Sequence, residues 1–404
     1  MCCRPGTERN IEMLQVLSLF SGIGAFEKAL TNLEVPFNLL GYCEIDEHAS
    51  KSYSAIHNVG EDLNLKDVTK VDTSKITVGV DILTYGFPCQ DISQAGHQKG
   101  FKNDDGTLTR SGLFFEALRI ITHTHPKIAI AENVKALTSS KFSEEFKIVL
   151  NSLEEAGYNN YWKVLNAKDY GIPQNRERVF VVSIRKDIDH GLFQFPEPFP
   201  LKTRLFDILE DDVDESFYLT AEQCRRLTGN VFAQANTRLQ NKQWRDTLLA
   251  RDYKDPKVIC VAQMYPNSGN PQAGRIYNPE GISPALDTCE GGNRQVKIAT
   301  AVAMRGRYGT TGKIEQCVEI SDREYANALT TVQKDSMVQD RSGIRKLTPK
   351  EYFRLMGFSD SDFEKAASVN SKTQLYKQAG NSIVVDVLEE LFCGILDDSN
   401  NIYV

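Results

Sequence analysis

A thiol and a carboxyl stand at matching places in this chain. Cys89 lies in Gly86-Phe87-Pro88-Cys89-Gln90, just past the apolar run Asp81-Ile82-Leu83-Thr84-Tyr85. Glu132 opens Glu132-Asn133-Val134, just past Lys127-Ile128-Ala129-Ile130-Ala131. Open α/β sheets keep their chemistry where a buried strand runs out into a loop, so the two residues offer a nucleophile and a proton handler. A free thiol, with a pKa of roughly 8.5, must become a thiolate to attack. After Cys89 comes a polar stretch, Gln90 to Arg110, holding Gly96, Gly100 and Gly106; its length and glycines suit a lid that closes on substrate. Apolar surroundings would raise the pKa of Glu132 and let it carry a proton at neutral pH. Gln174-Asn175-Arg176-Glu177-Arg178 adds two guanidinium groups at alternate positions entering a strand, placed to grip an oxygen or a phosphate.

A second group of residues reads as a ligand site. Phe20-Ser21-Gly22-Ile23-Gly24 follows one strand and opens a helix, and its glycines let a ligand approach the backbone closely. Glu44, at the end of the next strand, can accept both hydroxyls of a ribose. Asp67-Val68 offers a carboxylate for an adenine amino group and an apolar contact for its ring. The phosphate-binding GxGxxG fingerprint is missing, which favours an adenosyl ligand without a pyrophosphate.

The elements that must position these residues follow from periodicity. Apolar runs predict strands at Val16–Phe20, Phe37–Glu44, Asp81–Phe87, Lys127–Val134, Trp162–Ala167 and Arg178–Ile184. Amphipathic stretches predict helices near Ala25–Leu33, Glu47–His57, Gly112–Thr122 and Ser143–Ala156. Such alternation predicts an α/β fold with a mainly parallel sheet and helices on both faces. Three prolines in Phe195-Pro196-Glu197-Pro198-Phe199-Pro200 break the pattern and mark a hinge. From there to about Asp340 the chain is rich in Gly, Asn, Gln and Arg with short β-type runs, Val258–Tyr265, Val296–Met304 and Cys317–Ile320, which reads as a second, β-rich domain. Cys260–Met264 is echoed by Ala301–Met304, consistent with a duplicated β unit. Thr348–Met356 and Ser382–Ile395 read as helices, the latter with Val384, Val387, Leu388 and Leu391 on one face.

Composition narrows the class. The 404 residues suffice for two domains, and no apolar run is long enough to span a bilayer. The nine cysteines are scattered, with no Cys-x-x-Cys pair and no matching histidines, so neither a metal site nor a disulfide framework is expected. The net charge is −7, yet residues 221–345 hold 18 Lys/Arg against 13 Asp/Glu, leaving 29 against 41 elsewhere. That split would place a nucleic-acid-facing surface in the second domain.

Taken in order, the motifs resemble the DNA cytosine-5 methyltransferase family of bacterial and phage type. The resemblance rests on Phe20–Gly24, Glu44, Asp67, Gly86–Gln90, Glu132–Val134, Gln174–Arg178, Arg345-Lys346-Leu347-Thr348-Pro349 with Met356-Gly357-Phe358, and Gln378-Ala379-Gly380-Asn381-Ser382. It implies a Rossmann-like S-adenosylmethionine-dependent methyltransferase sheet with a smaller β-rich target-recognition domain. The expected boundaries are a tail at 1–13, a catalytic domain at 14–195, target recognition at 200–340, and a return to the catalytic domain at 341–404. The methyl donor would be S-adenosyl-L-methionine, leaving S-adenosyl-L-homocysteine, and the acceptor carbon 5 of cytosine in double-stranded DNA.

By the same resemblance Cys89, Glu132, Arg176 and Arg178 are catalytic. Phe20, Ser21, Gly22, Ile23, Gly24, Glu44, Ile45, Asp67, Val68, Pro88, Leu113, Asn381 and Ser382 bind the donor. Gln90, Ser93, Arg275, Asn293, Arg294, Arg305 and Arg307 contact DNA, the last five as candidate readers of base edges. The chemistry needs such a set, because carbon 5 is a poor nucleophile until a thiolate adds at carbon 6, and the base must leave the duplex to be reached. A cytoplasmic enzyme at the bacterial nucleoid is expected, monomeric, with no membrane association and no obligatory protein partner; a cognate restriction endonuclease is left open. Ala25 stands where many members have a third glycine, and a tail containing Cys2 and Cys3 precedes Met13, an alternative start. Three other readings compete: an RNA cytosine-5 methyltransferase, a donor-binding DNA-binding module without catalysis, and a Rossmann dehydrogenase.

Overall fold

The computed structural model describes residues 13–88, 110–203, 205–218, 260–263, 275–277, 301–308, 314–321, 326–327, 337–340 and 343–396. The chain divides into two compact units, Met1–Thr203 with Tyr352–Val404, and Arg204–Glu351.

The first unit is built on a six-stranded sheet. Its strands are β1 (Leu14–Leu19), β2 (Phe37–Cys43), β3 (Ile82–Tyr85), β4 (Ile128–Val134), β5 (Tyr158–Asn166) and β6 (Glu177–Arg185), in the spatial order β2-β1-β3-β4-β6-β5. The central strands are apolar almost throughout, as burial on both faces demands: all four residues of β3 are buried. Pairing is parallel from β2 to β4, but β6 runs antiparallel to both β4 and β5. The expectation of a mainly parallel sheet thus holds on one side only. The reason is connection length, since β5 and β6 are joined by residues 167–176 alone, and a parallel return needs a crossover of about a dozen residues or more.

Helices α1 (Ala25–Asn32), α2 (Glu47–His57), α3 (Phe114–Thr124) and α4 (Ser143–Glu155) link the strands. The limits of α2 match the expected ones because both ends carry caps. Asp46 accepts from the His48 and Ala49 N–H groups, and Asn58 takes the left-handed conformation past the end. A further helix, α5 (Pro349–Leu355), crosses the boundary between the units, and α6 (Asp360–Ala367), α7 (Lys372–Asn381) and α8 (Val385–Ile395) complete the first unit. On α8, Val387, Leu388 and Leu391 are buried as their spacing requires, and Phe392 meets Phe26 of α1 edge-on at 6.4 Å between ring centres.

Two expectations change here. The helix expected at Ser382–Ile395 begins only at Val385, because Ser382 and Val384 are extended and the Ser382 N–H closes α7 on the Ala379 carbonyl. Helices α6 and α7 were not anticipated, although Ser359 and Asp362 form a capping box at the start of α6. Cys43, at the end of β2, is free and buried.

Within the second unit, the described strands that pair with one another are antiparallel. Ala301–Tyr308 pairs in full register with Ile314–Ser321, and Met337–Asp340 with Gly343–Lys346, within one four-stranded sheet. A separate pair joins Cys260–Gln263 to Arg275–Tyr277. Both segments of the echo noted above therefore open an antiparallel pair.

Candidate active site

The carboxyl ends of β2, β1, β3 and β4 open side by side onto one cavity of about 370 Å³. At the end of β1 the chain turns sharply, with Phe20 at φ 55° and Gly22 at φ 57°. The Ser21 N–H reaches across to the Cys43 carbonyl at 3.0 Å. No atom lies within 4 Å of where a side chain on Gly22 would begin, so the backbone there faces open space. Gly24, at φ 80°, starts α1 with the His57 ring pressed against it; a Cβ would fall 2.2 Å from Nε2. That ring donates from Nε2 to the Ile23 carbonyl at 3.1 Å. Burial pushes the His57 pKa down to about 4, so the ring is neutral at neutral pH and carries its proton on Nε2 to make this bond.

Glu44 is the first residue beyond β2. Its Oε2 accepts from the Gly22 N–H at 2.9 Å and its Oε1 from the Asp46 N–H at 2.7 Å. Burial raises its pKa, and these two backbone donors act against that rise. Each carboxylate oxygen still has a lone pair to offer. Ile45, 73% exposed, stands beside it as an apolar side chain in the open. Asp67 begins the next turn and accepts from the Thr69 N–H at 3.0 Å and hydroxyl at 2.8 Å, which hold its carboxyl below the usual range. From α3, Arg119 fixes this turn by donating to the Val68 and Val71 carbonyls, each at 3.1 Å.

At the other end of the cavity, β4 and β6 bring Glu132 and Arg178 together. Glu132 pairs across the ladder with Phe180, so Arg178 is its diagonal neighbour on the same face. Arg178 Nε lies 3.0 Å from Glu132 Oε1 in a pair only 20% and 12% exposed. Burial raises the Glu132 pKa, opposed by the charges of Arg178 and Arg176. Asn133 donates from Nδ2 to the Phe87 carbonyl at 3.1 Å, tying the ends of β3 and β4 together. Gly86, Phe87 and Pro88 also line the cavity.

The last sector comes from the return segment. Arg176 is not in a strand with Arg178; it precedes β6 and donates to the Gly380 carbonyl at 3.2 Å and the Ser382 carbonyl at 2.7 Å. Gln174, fully buried, donates to the Leu355 carbonyl at 2.7 Å. The Lys377 ammonium reaches Asp46 at 2.6 Å. These bonds hold the far end of the sequence against the strand ends.

A model of the C-5 cytosine-specific DNA methylase family matches residues 14–396. The chain belongs to that family. An orphan methyltransferase of Bacillus phage SPbeta, M.SPBetaI, is 34% identical over 94% of this chain and 96% of its own length. The type II methyltransferase M.HhaI of Haemophilus parahaemolyticus is 31% identical over 95% and 94%. Among solved structures, the S. pombe Dnmt2 methyltransferase superposes with a TM-score of 0.56 at 20% identity, covering 96% of this chain and 99% of that one. This last likeness is one of fold. The protein is thus a DNA cytosine-5 methyltransferase on a Rossmann-like sheet.

In this methylase the cavity gathers Phe20, Gly22, Ile23, Glu44, Ile45, Asp67, Val68, Pro88, Leu113, Glu132, Arg176, Arg178 and Asn381, all expected from the motifs. Ser21, Gly24 and Ser382 are not among its lining residues; they shape the loops that are. Cys89, Gln90, Ser93, Asn293 and Arg294 lie outside the described residues, and Arg275, Arg305 and Arg307 are described only as backbone within strands. Cys43, Asp46, Ala49, Lys66 and Lys377 also line the cavity and were not anticipated, while Gln378 lines it from a motif named above without a site role. The Asp46–Lys377 pair spans more than three hundred residues of sequence, a separation that no local pattern signals. Burial, with Glu44 and Asp67 nearby, pushes the Cys43 thiol up to about 12, which disfavours the thiolate that a nucleophile needs. Among the described residues no helix is long and apolar enough to cross a membrane, and no cluster of His, Cys, Asp and Glu could hold a metal ion.

Proposed function

We propose that this methylase transfers a methyl group from S-adenosylmethionine to carbon 5 of a cytosine everted from duplex DNA, through a covalent bond to Cys89. The observation that carries the reading is that one cavity is lined by both Glu44–Asp67 and Glu132–Arg178. Its volume falls within the roughly 300–1,000 Å³ of small-molecule sites. The order β2-β1-β3-β4 separates Glu44 from Glu132 by three strand intervals, about 14 Å at the usual strand spacing. That span accommodates an extended adenosyl-methionine with a pyrimidine beyond it.

The donor supplies an electrophilic methyl group on a sulfonium. Toward it, Glu44 would accept from the ribose hydroxyls and Asp67 from the adenine amine, while the bare backbone at Gly22 leaves room for close approach. Toward the base, Cys89 would add as a thiolate to carbon 6 and make carbon 5 an enamine carbon. Glu132 would hold N3 and the exocyclic amine, with Arg178 on O2, offsetting charge as it develops. Burial favours the protonated carboxyl that this requires. Loss of the proton from carbon 5 then lets the Cys89 sulfur depart. Residues 200–340 would read the sequence around the target from the groove, with the Gln90–Arg110 segment closing over the base.

Methyl incorporation from labelled donor into duplex DNA, compared with transfer RNA, tests the acceptor class. Cys89→Ser is expected to retain donor binding and lose methylation; substantial turnover by that variant would overturn the covalent route.

A further inference from the structure

Asn64 lies in the loop after α2, and its carboxamide is fixed on both sides. Its Nδ2 donates to the Glu44 carbonyl at 2.9 Å, and its Oδ1 accepts from the Glu44 N–H at 3.1 Å. A carbonyl only accepts and an N–H only donates, so this orientation of the amide is settled. The ladder between β1 and β2 ends at Cys43. One side chain thus closes on the next residue as a neighbouring strand would, continuing the single bridge between Tyr42 and Asn64. Oδ1 also accepts from the Lys66 N–H at 2.8 Å, and Nδ2 also donates to Ser50 Oγ at 2.9 Å. A carboxamide has two donors and two acceptor lone pairs, and here all four are engaged. Lys66 sits at φ 62°, a left-handed conformation seldom taken by a residue with a long side chain, and Asp67 follows directly.

We infer that Asn64 is a positioning residue for the nucleoside of the methyl donor, setting the separation between Glu44 and Asp67 by gripping the backbone of both turns. The inference rests on the donor reading above, in which Glu44 takes the ribose and Asp67 the adenine. Asn64 itself does not line the cavity; it acts through the two residues that do. Its loss would let the Glu44 backbone move away from the Gly22 N–H, so the carboxylate would no longer stand where the hydroxyls arrive.

The test is a double-mutant cycle on the affinity for S-adenosylhomocysteine, measured calorimetrically with the full chain. Asn64→Ala and Glu44→Gln are each expected to weaken binding about tenfold, and the double variant scarcely further, because residues that act through one another are non-additive. In turnover, Asn64→Ala should raise the KM for the donor with little change in kcat at saturation, a split that general loss of structure would not produce. Losses that simply multiply in the double variant, or unchanged binding by Asn64→Ala, would overturn the inference. If Asn64→Ala fails to fold, Asn64→Asp takes its place in the same cycle, keeping the size and both accepting contacts while losing the donated ones. Wild-type protein that binds no S-adenosylhomocysteine would sink the donor reading and this inference with it; binding with independent effects would sink the inference alone.

Discussion

Glu44 and Glu132 occupy equivalent places, at the carboxyl ends of β2 and β4, and burial raises the pKa of both. What opposes that rise differs. Around Glu44 it is backbone: the Asp46 and Gly22 N–H groups, which are dipoles fixed by the fold. Around Glu132 it is charge: the guanidinium of Arg178 at 3.0 Å, with that of Arg176 adding to it. Fixed dipoles suit a carboxylate that accepts hydrogen bonds and never changes its own state. A buried carboxyl balanced against a side-chain cation has a charge that substrate can shift by displacing or supplementing that cation. On the proposed reading, the same residue type at the same kind of strand end is tuned by its partners toward binding in one case and proton handling in the other.

The comparison is broken most directly at Glu132. Glu132→Gln is expected to lower kcat by about two to three orders of magnitude, the usual cost of losing a group aimed at developing charge, while leaving donor affinity as it was. Because burial raises this pKa above the usual carboxylate range, against the opposing charge of Arg178, the protonated form persists to higher pH than in a free carboxyl, and kcat should fall as pH rises through the raised value. A wild-type rate, or a pH profile identical to that of Glu132→Gln, would remove Glu132 from proton handling. Glu44→Gln should show the opposite pattern, with affinity for the donor weakened about tenfold and kcat at saturation nearly kept. A collapse of kcat with affinity intact would erase the division of labour.

The smallest effect is on stability and lies away from the cavity. Asp386, packed so closely on Gly357 that a Cβ there would fall 2.2 Å from its Oδ2, has its pKa raised from 3.8 to about 7 by burial, with Glu389 and Glu390 adding to the rise. The folded protein therefore keeps a proton that the unfolded chain has already released, and stability is lost as pH climbs through that interval. Asp386→Asn should raise Tm by a few degrees above neutrality and by almost nothing at acid pH. A constant difference across the range would refute the titration.

Much of this was legible in the chain, for identifiable reasons. Strands with apolar residues on both faces announce themselves, and α2 carries its caps in Asp46 and Asn58. Site residues at strand ends, such as Glu44 and Glu132, were visible because the strand before each one was. The antiparallel insertion of β6 was hidden, since it depends on a short connection rather than on the strand's own composition. Asn64 was hidden as well, because a polar residue in a polar loop looks the same whether it faces water or holds four hydrogen bonds. Arg176 was seen as a cavity residue, but its partners were not: it precedes the strand and binds the carbonyls of Gly380 and Ser382, which lie far along the sequence. Helices α6 and α7 were overlooked where their apolar faces are short, although the capping box at Ser359 was available to mark the first.

The central claim is the transient bond between Cys89 and the everted base, and 5-fluorocytosine tests it. With fluorine on carbon 5 there is no proton to remove after methyl transfer, so the sulfur cannot leave. Duplex DNA carrying that base at the target site, incubated with protein and S-adenosylmethionine, should give a denaturation-stable complex of one chain per site that Cys89→Ser does not form. Methylation of ordinary duplex with no such complex on the fluorinated one would contradict the account.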